Sequence, residues 1–236
     1  MEVAQTIPME KEIPEREDKM VLTTLIKQLY AIDTLEGYTD EDIDCLKAVH
    51  GILPTVLEEF YRTAGKSITN QFVQDSWITP KNYEDWAWLR NSSHFILLNE
   101  NQGVCQAGIR QEDMTLSDPP VYVSMDDKDW KLCAPTTSKF LAAALIYEAA
   151  FTFDYSSEDI FILSEEDFKL MQSRLTKLPY AMQNWMGCTI TCYNNAPDNL
   201  AVVLDWESEY QMFYGGATEE SYNKLRSVLE NVGEPL

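Results

Sequence analysis

The chain has 236 residues, of which 39 are acidic and 18 basic, giving a formal net charge of −21. Its 45% hydrophobic content, with 6 Trp, 12 Tyr and 9 Phe, excludes a wholly disordered acidic chain, because such chains lack the aromatic material of a core. The charge also excludes a nucleic-acid binder and an anionic membrane surface: phosphate is repelled, and the basic footprint such ligands need is missing.

The acidity is not confined to a tail. Residues 1–139 hold 24 acidic and 13 basic side chains, and residues 140–236 hold 15 and 5. Charge of this kind serves solubility first, and it also steers association with a basic protein. The N-terminus has no basic stretch followed by an apolar one, so no signal peptide is expected. No run of 18 apolar residues exists, so no membrane span is expected either. The 5 cysteines are an odd number without a disulfide framework. They fit reduced thiols, and the protein reads as cytoplasmic.

Residues 1–19 are rich in Pro and charge and read as a flexible arm. Residues 20–236 read as a single domain. Val21, Leu25, Leu29 and Ile32 recur at helical spacing. Thr39 and Asp42 form a capping box for a second helix, with Ile43, Leu46 and Val49 as its buried face and Gly51 as a left-handed stop. Pro54 suits the first position of a third helix, whose stripe is Leu57, Phe60, Tyr61 and Ala64 and whose stop is Gly65. Residues 70–93 are aromatic-rich, with no clear period.

Phe95–Asn99 and Val104–Ile109 flank a Glu-Asn-Gln-Gly turn and read as a hairpin. Val121–Val123 and Trp130–Leu132 are further strands around an acidic turn. Thr136 to Ser138 cap a helix through Ala150, with Phe140, Leu141, Ala144, Leu145 and Glu148 on one face. Ile160–Leu163 is a strand, and Ser164 with Asp167 caps another helix. Gly187–Tyr193, Leu200–Asp205 and Tyr210–Phe213 are strands, and a last helix starts at Thr218. The order predicts an α+β fold, a mostly antiparallel sheet packed by several helices.

Three stretches occur together in a familiar order. They are the helix Leu53-Pro54-x-x-Leu57-x-x-Phe60-Tyr61-x-x-x-Gly65 and the hairpin from Glu100-Asn101-Gln102-Gly103 to Gly108-Ile109. The third is Asp118-Pro119-Pro120-Val121-Tyr122-Val123, followed by Trp130 and the helix ending Leu145-Ile146-Tyr147-Glu148-Ala149. Their order and spacing resemble the SUKH superfamily over about residues 39–150. Ala107 departs from the pattern, standing where related sequences often carry Trp. The resemblance implies a SUKH-like α+β fold. It also implies an immunity protein, which binds and neutralises a toxin domain encoded beside it in bacterial competition. The superfamily's fungal members regulate cell-wall synthesis, so a regulatory binding module is the alternative.

Binding of this kind needs no catalytic residue, cofactor or metal, and none is expected here. Cys105 and His94 make a formal thiol–imidazole dyad, but a small Cys inside a hairpin strand is ordinary core material. Cys188 and Cys192 on one strand would sit ~13 Å apart, too far for one zinc ion or a disulfide. Asp126, Asp127 and Asp129 lack the Gly and Glu of a calcium loop. Gly215-Gly216 is not followed by the Lys of a phosphate loop.

The expected partner is a toxin protein with a basic, nuclease-type active cleft, met by an acidic surface that stands in for phosphates. By charge and turn position, the candidate contact residues are Asp126, Asp127, Asp129 and Trp130, then Glu84, Asp85 and Trp86, then Glu207 and Glu209. Trp and Tyr beside carboxylates suit a basic partner better than nucleic acid.

Overall fold

The computed structural model describes the backbone of residues 15–236 and the side chains of residues 22–236. Helix α1 (Glu15–Tyr30) starts earlier than its apolar spacing predicts, so residues 15–19 belong to it. Residues 1–14 of the expected arm lie outside the described residues. Helix α2 (Asp40–His50) opens on the expected capping box, with Thr39 and Asp42 each satisfying the other's backbone N–H. Gly51 closes it at φ +81°.

Helix α3 (Thr55–Phe60) follows Pro54, which is the residue before the first turn and not the first position in it. Gly65 is not a stop. The chain runs through a π-turn (Tyr61–Gly65) straight into α4 (Lys66–Thr69). Glycine is required there because the Tyr38 ring lies on it: a Cβ would sit 2.7 Å from that ring.

The stretch 70–93 resolves into β1 (Ser76–Trp77), α5 (Pro80–Asp85) and α6 (Ala87–Asn91). A second capping box, Thr79 with Asn82, starts α5. Next come β2 (His94–Asn99), β3 (Gln106–Arg110), β4 (Val121–Ser124) and β5 (Lys131–Ala134). These strands form an antiparallel sheet in simple chain order, β1 to β5. The hairpin between β2 and β3 is the expected one. The Glu100 carboxylate accepts the N–H groups of Gln102 and Val104 across its turn.

Helix α7 (Thr137–Thr152) is capped by Thr136 and buried on every side, so it is a central helix and not an amphipathic one. Asp118 and Pro119 hold its start. The Asp118 carboxylate accepts from the Ser138 N–H and hydroxyl, and the Pro119 carbonyl accepts from Thr137.

A second sheet follows. Its elements are β6 (Tyr155–Ser156), β7 (Phe161–Leu163), α8 (Glu165–Arg174), β8 (Thr176–Trp185), β9 (Cys188–Asn194), β10 (Asn199–Asp205), β11 (Tyr210–Gly216), α9 (Glu219–Val228) and β12 (Glu234–Pro235). The strand order is β12-β7-β11-β10-β9-β8, with β6 paired to β11. The α+β class is as expected, but there are two antiparallel sheets where one was anticipated.

Alternation along β10 shows how the layers divide. Leu200 and Val202 enter the main core around α7, while Ala201 and Val203 enter a second core with Met171 of α8 and Leu225 of α9. The second sheet therefore carries α7 on one face and α8 and α9 on the other. Tyr30 ties α1 to the central helix by donating to the Leu145 carbonyl at 2.6 Å.

A candidate partner-binding groove

The first sheet ends in a polar row. Ser76 pairs with Asn99, Asn99 with Gln106, and Gln106 with Ser124. Directly paired residues of antiparallel strands point to the same side, so these four side chains cross β1 to β4 together. The residues beside them, Trp77, Leu98, Ala107 and Val123, are all buried in the main core. Ala107, which departs from the SUKH pattern, pairs with Leu98 and Val123 and leaves no solvent-facing surface.

This row is the floor of an open groove of about 560 Å³. Trp86 and Trp88 line it with their rings stacked, centroids 6.3 Å apart and planes 16° from parallel. Both are well exposed, at 40% and 44%. Val104 and Met125, also exposed, add apolar surface. The charged lining residues are Glu100, Asp126 and Asp127, and no Lys or Arg lines it among the described residues.

The sequence candidates divide on this geometry. Trp86, Asp126 and Asp127, 40 residues apart in the chain, meet on the one groove. Asp126 also builds its own turn, accepting from the N–H of Asp129 and Lys128 and from Ser124. Those bonds, led by the one from Asp129, hold its carboxyl below the usual range. Asp127 takes the tip at φ +63°.

Glu84 and Asp85 are exposed at the end of α5 but outside the groove, as is Asp129, which faces Lys131 at 3.9 Å. Trp130 is partly buried against the main core, stacked on His94 at 3.6 Å, and is a packing residue where an exposed contact was expected. Glu207 and Glu209 lie in the β10–β11 turn of the second sheet, away from the groove lining. There Glu207 donates its N–H to Asp205, and Glu209 accepts from Gln211.

Sequence reasoning missed Ser76, Asn99, Gln106, Val104 and Met125, and did not select Trp88. Asn99 and Gln106 are the polar residues at which the two apolar runs of the hairpin end beside its turn, a position that reads equally as turn chemistry. Ser76 carries no comparable signal, because a two-residue strand has no period.

Buried carboxylates support the floor from below. Glu148 of α7 accepts the N–H groups of Val73, Gln74 and Asp75, each at 3.0 Å. Asp75 in turn accepts from Asn101 in the hairpin turn at 3.3 Å. Burial, and secondly the charge of Asp75, raise Glu148 to about 8. Burial first, opposed by the Asn101 bond and reinforced by Glu100, raises Asp75 to about 7. The central helix thus positions β1 and the hairpin turn, the two sides between which the groove begins.

The formal dyad has no such organisation. Burial pushes Cys105 up to about 12 and His94 down to about 4. Cys105 accepts the N–H of Met186, while His94 meets Ser93 and Trp130. His94 pairs with Arg110 at one end of the hairpin while Cys105 lies at its turn end, so the neutral thiol has no imidazole to activate it as a nucleophile.

Among the described residues, no group of three or more His, Cys, Asp or Glu is placed to hold a metal ion. Compared with family models, curated proteins and solved structures, the chain matches none. The resemblance to the SUKH superfamily therefore stands on the motifs of the sequence.

Proposed function

We propose that this chain is an immunity-type protein that binds a basic, nuclease-type toxin domain and neutralises it by stoichiometric contact in the cytoplasm. The observation that carries the reading is the groove. It joins exposed stacked indoles to carboxylates, without a balancing cation in its lining among the described residues, on a chain of net charge −21. Aromatic anchors ringed by complementary charge are the usual composition of a tight protein interface. Long-range attraction between an acidic inhibitor and a basic cleft raises the association rate, and salt screens it. No described helix is long and apolar enough to cross a membrane.

The test is affinity capture of the tagged chain from its native cell, followed by co-expression with whatever toxin domain is recovered. A basic toxin fragment should co-purify, and its lethal activity should vanish at a one-to-one ratio. Its association rate should fall steeply with added salt. Capture of no toxin, or of a toxin that stays active when saturated, overturns the reading.

A further inference from the structure

We infer that the groove over Ser76, Asn99, Gln106 and Ser124 takes an extended, basic segment of the partner, with Lys or Arg side chains set against the tryptophan faces and the rim carboxylates. This rests on the reading of the chain as a binder of a basic protein, and it names the part of that partner that is gripped.

The floor has the length and chemistry for a peptide. Four neighbouring strands span about 14 Å, the reach of roughly four extended residues. The amides of Asn99 and Gln106 sit in register at its centre and make no side-chain hydrogen bond among the described residues. Each offers a carbonyl acceptor and an NH₂ donor. A peptide backbone, which presents N–H and C=O in alternation, satisfies both.

The walls fix the sign of the side chains. Trp86 and Trp88 expose stacked indoles, whose faces attract cations. Among the described residues, Glu100, Asp126 and Asp127 supply the only formal charge in the lining, all of it negative. An acidic peptide or a nucleic acid would meet repulsion along the whole groove. A purely apolar segment would pair its backbone with the amide row but leave the groove's carboxylates without a complementary charge.

The test uses a random heptapeptide library displayed on phage and panned on the full chain. Enriched sequences are then synthesised and titrated by tryptophan fluorescence. The variants are W86A/W88A, D127N and, as a carboxylate outside the groove, E207Q. Asn tolerates the left-handed conformation that Asp127 adopts at φ +63°, so D127N removes charge without strain. Lys- or Arg-bearing peptides should be enriched. Their affinity should fall at least tenfold in W86A/W88A and several-fold in D127N, weaken with salt, and stay unchanged in E207Q. No enrichment, enrichment of neutral or acidic sequences, or equal binding to W86A/W88A and D127N overturns the inference.

The capture experiment, repeated with W86A/W88A, separates the two readings. Equal recovery of a basic toxin by wild type and variant removes the groove and leaves the immunity reading. Groove-dependent basic peptides with no toxin captured leave the groove and remove the immunity reading.

Discussion

The Glu148 carboxylate accepts the backbone N–H of Asp75 at 3.0 Å, across 73 residues of chain. The same carboxylate takes the N–H groups of Val73 and Gln74, so one side chain of the central helix satisfies three consecutive backbone donors. Glu148 is fully buried. Replacing it with alanine strands the buried Asp75 N–H and frees the part-buried N–H groups of Val73 and Gln74 to find water, and an unpaired buried donor costs ~1–3 kcal/mol. We expect E148A to lose about 1–3 kcal/mol of stability, read as a lower urea midpoint. The segment leading into β1 should also exchange its amide hydrogens faster. A loss below about 1 kcal/mol would show that the segment is held by other contacts.

The two buried carboxylates give stability an unusual pH dependence. Glu148 rises from 4.5 to about 8 and Asp75 from 3.8 to about 7, burial being the main cause of both. A raised folded-state value means that the native state binds more protons than the unfolded one between about pH 4 and about 8. Their contribution is complete below that window and is lost as pH rises through it. His94 and His50 oppose this at the acid end, because burial lowers both and favours the native state only as they deprotonate. Above about pH 7.5 the histidines are largely neutral in either state, so the window from 7.5 to 8.5 is free of them. The urea midpoint should fall across it. In D75N, where an amide oxygen still accepts from Asn101 and the charge beside Glu148 is gone, the fall should be shallower and the midpoint at pH 8.5 higher than in wild type. An equal slope in the two proteins would refute the coupling.

Local chemistry was the most legible part of the sequence. Thr39, Thr136, Ser164 and Thr218 each cap the helix that their position announces. The strands flanking Glu100–Gly103 lie where apolar runs meet turn residues. Four features escaped for physical reasons. Strand β8 carries Pro179 and shifts register against β9 twice, so its alternation is broken. Helix α7 looks one-sided by its strongest apolar positions, yet Ala142, Ala143 and Ala149 are small enough to let neighbours close around it. The groove is a tertiary object: Trp86 and Asp127 share it because β1 to β4 lie side by side, which no short-range pattern records. Trp130 reads as an exposed anchor by its acidic neighbours, but the ring turns inward onto His94.

Gly65 offers a direct test of the packing that overrode a helix stop. Alanine is the better helix former by ~1 kcal/mol, so propensity alone predicts that G65A stabilises. The added Cβ, however, would lie 2.7 Å from the Tyr38 ring. That ring is pinned by a hydroxyl contact with Thr69 at 2.5 Å, an edge-on contact with Tyr61, and the Tyr38 N–H bond to the Tyr61 carbonyl. Overpacking of this kind costs ~1–3 kcal/mol and should win. G65A is therefore expected to be less stable than wild type. The cost of G65A should shrink when it is introduced into Y38A, which removes the clashing ring, giving a positive coupling in a double-mutant cycle. A stabilised G65A would show that Tyr38 moves aside freely.

The thiols make a last prediction, which also weighs against a cysteine nucleophile. Cys105, Cys188 and Cys192 are buried and pushed up to about 12 by that burial, and burial raises Cys133 further still. Only the thiolate attacks a disulfide reagent, and it must also be reached. Cys45 is partly exposed and is raised chiefly by a hydrogen bond with Glu84. A native-state titration with an aromatic disulfide at pH 8 should consume one thiol slowly, and C45S should abolish that reaction. In denaturant all 5 cysteines should react. Fast labelling of Cys105 in the native protein, identified by peptide mass, would contradict its burial and return it to consideration as a nucleophile.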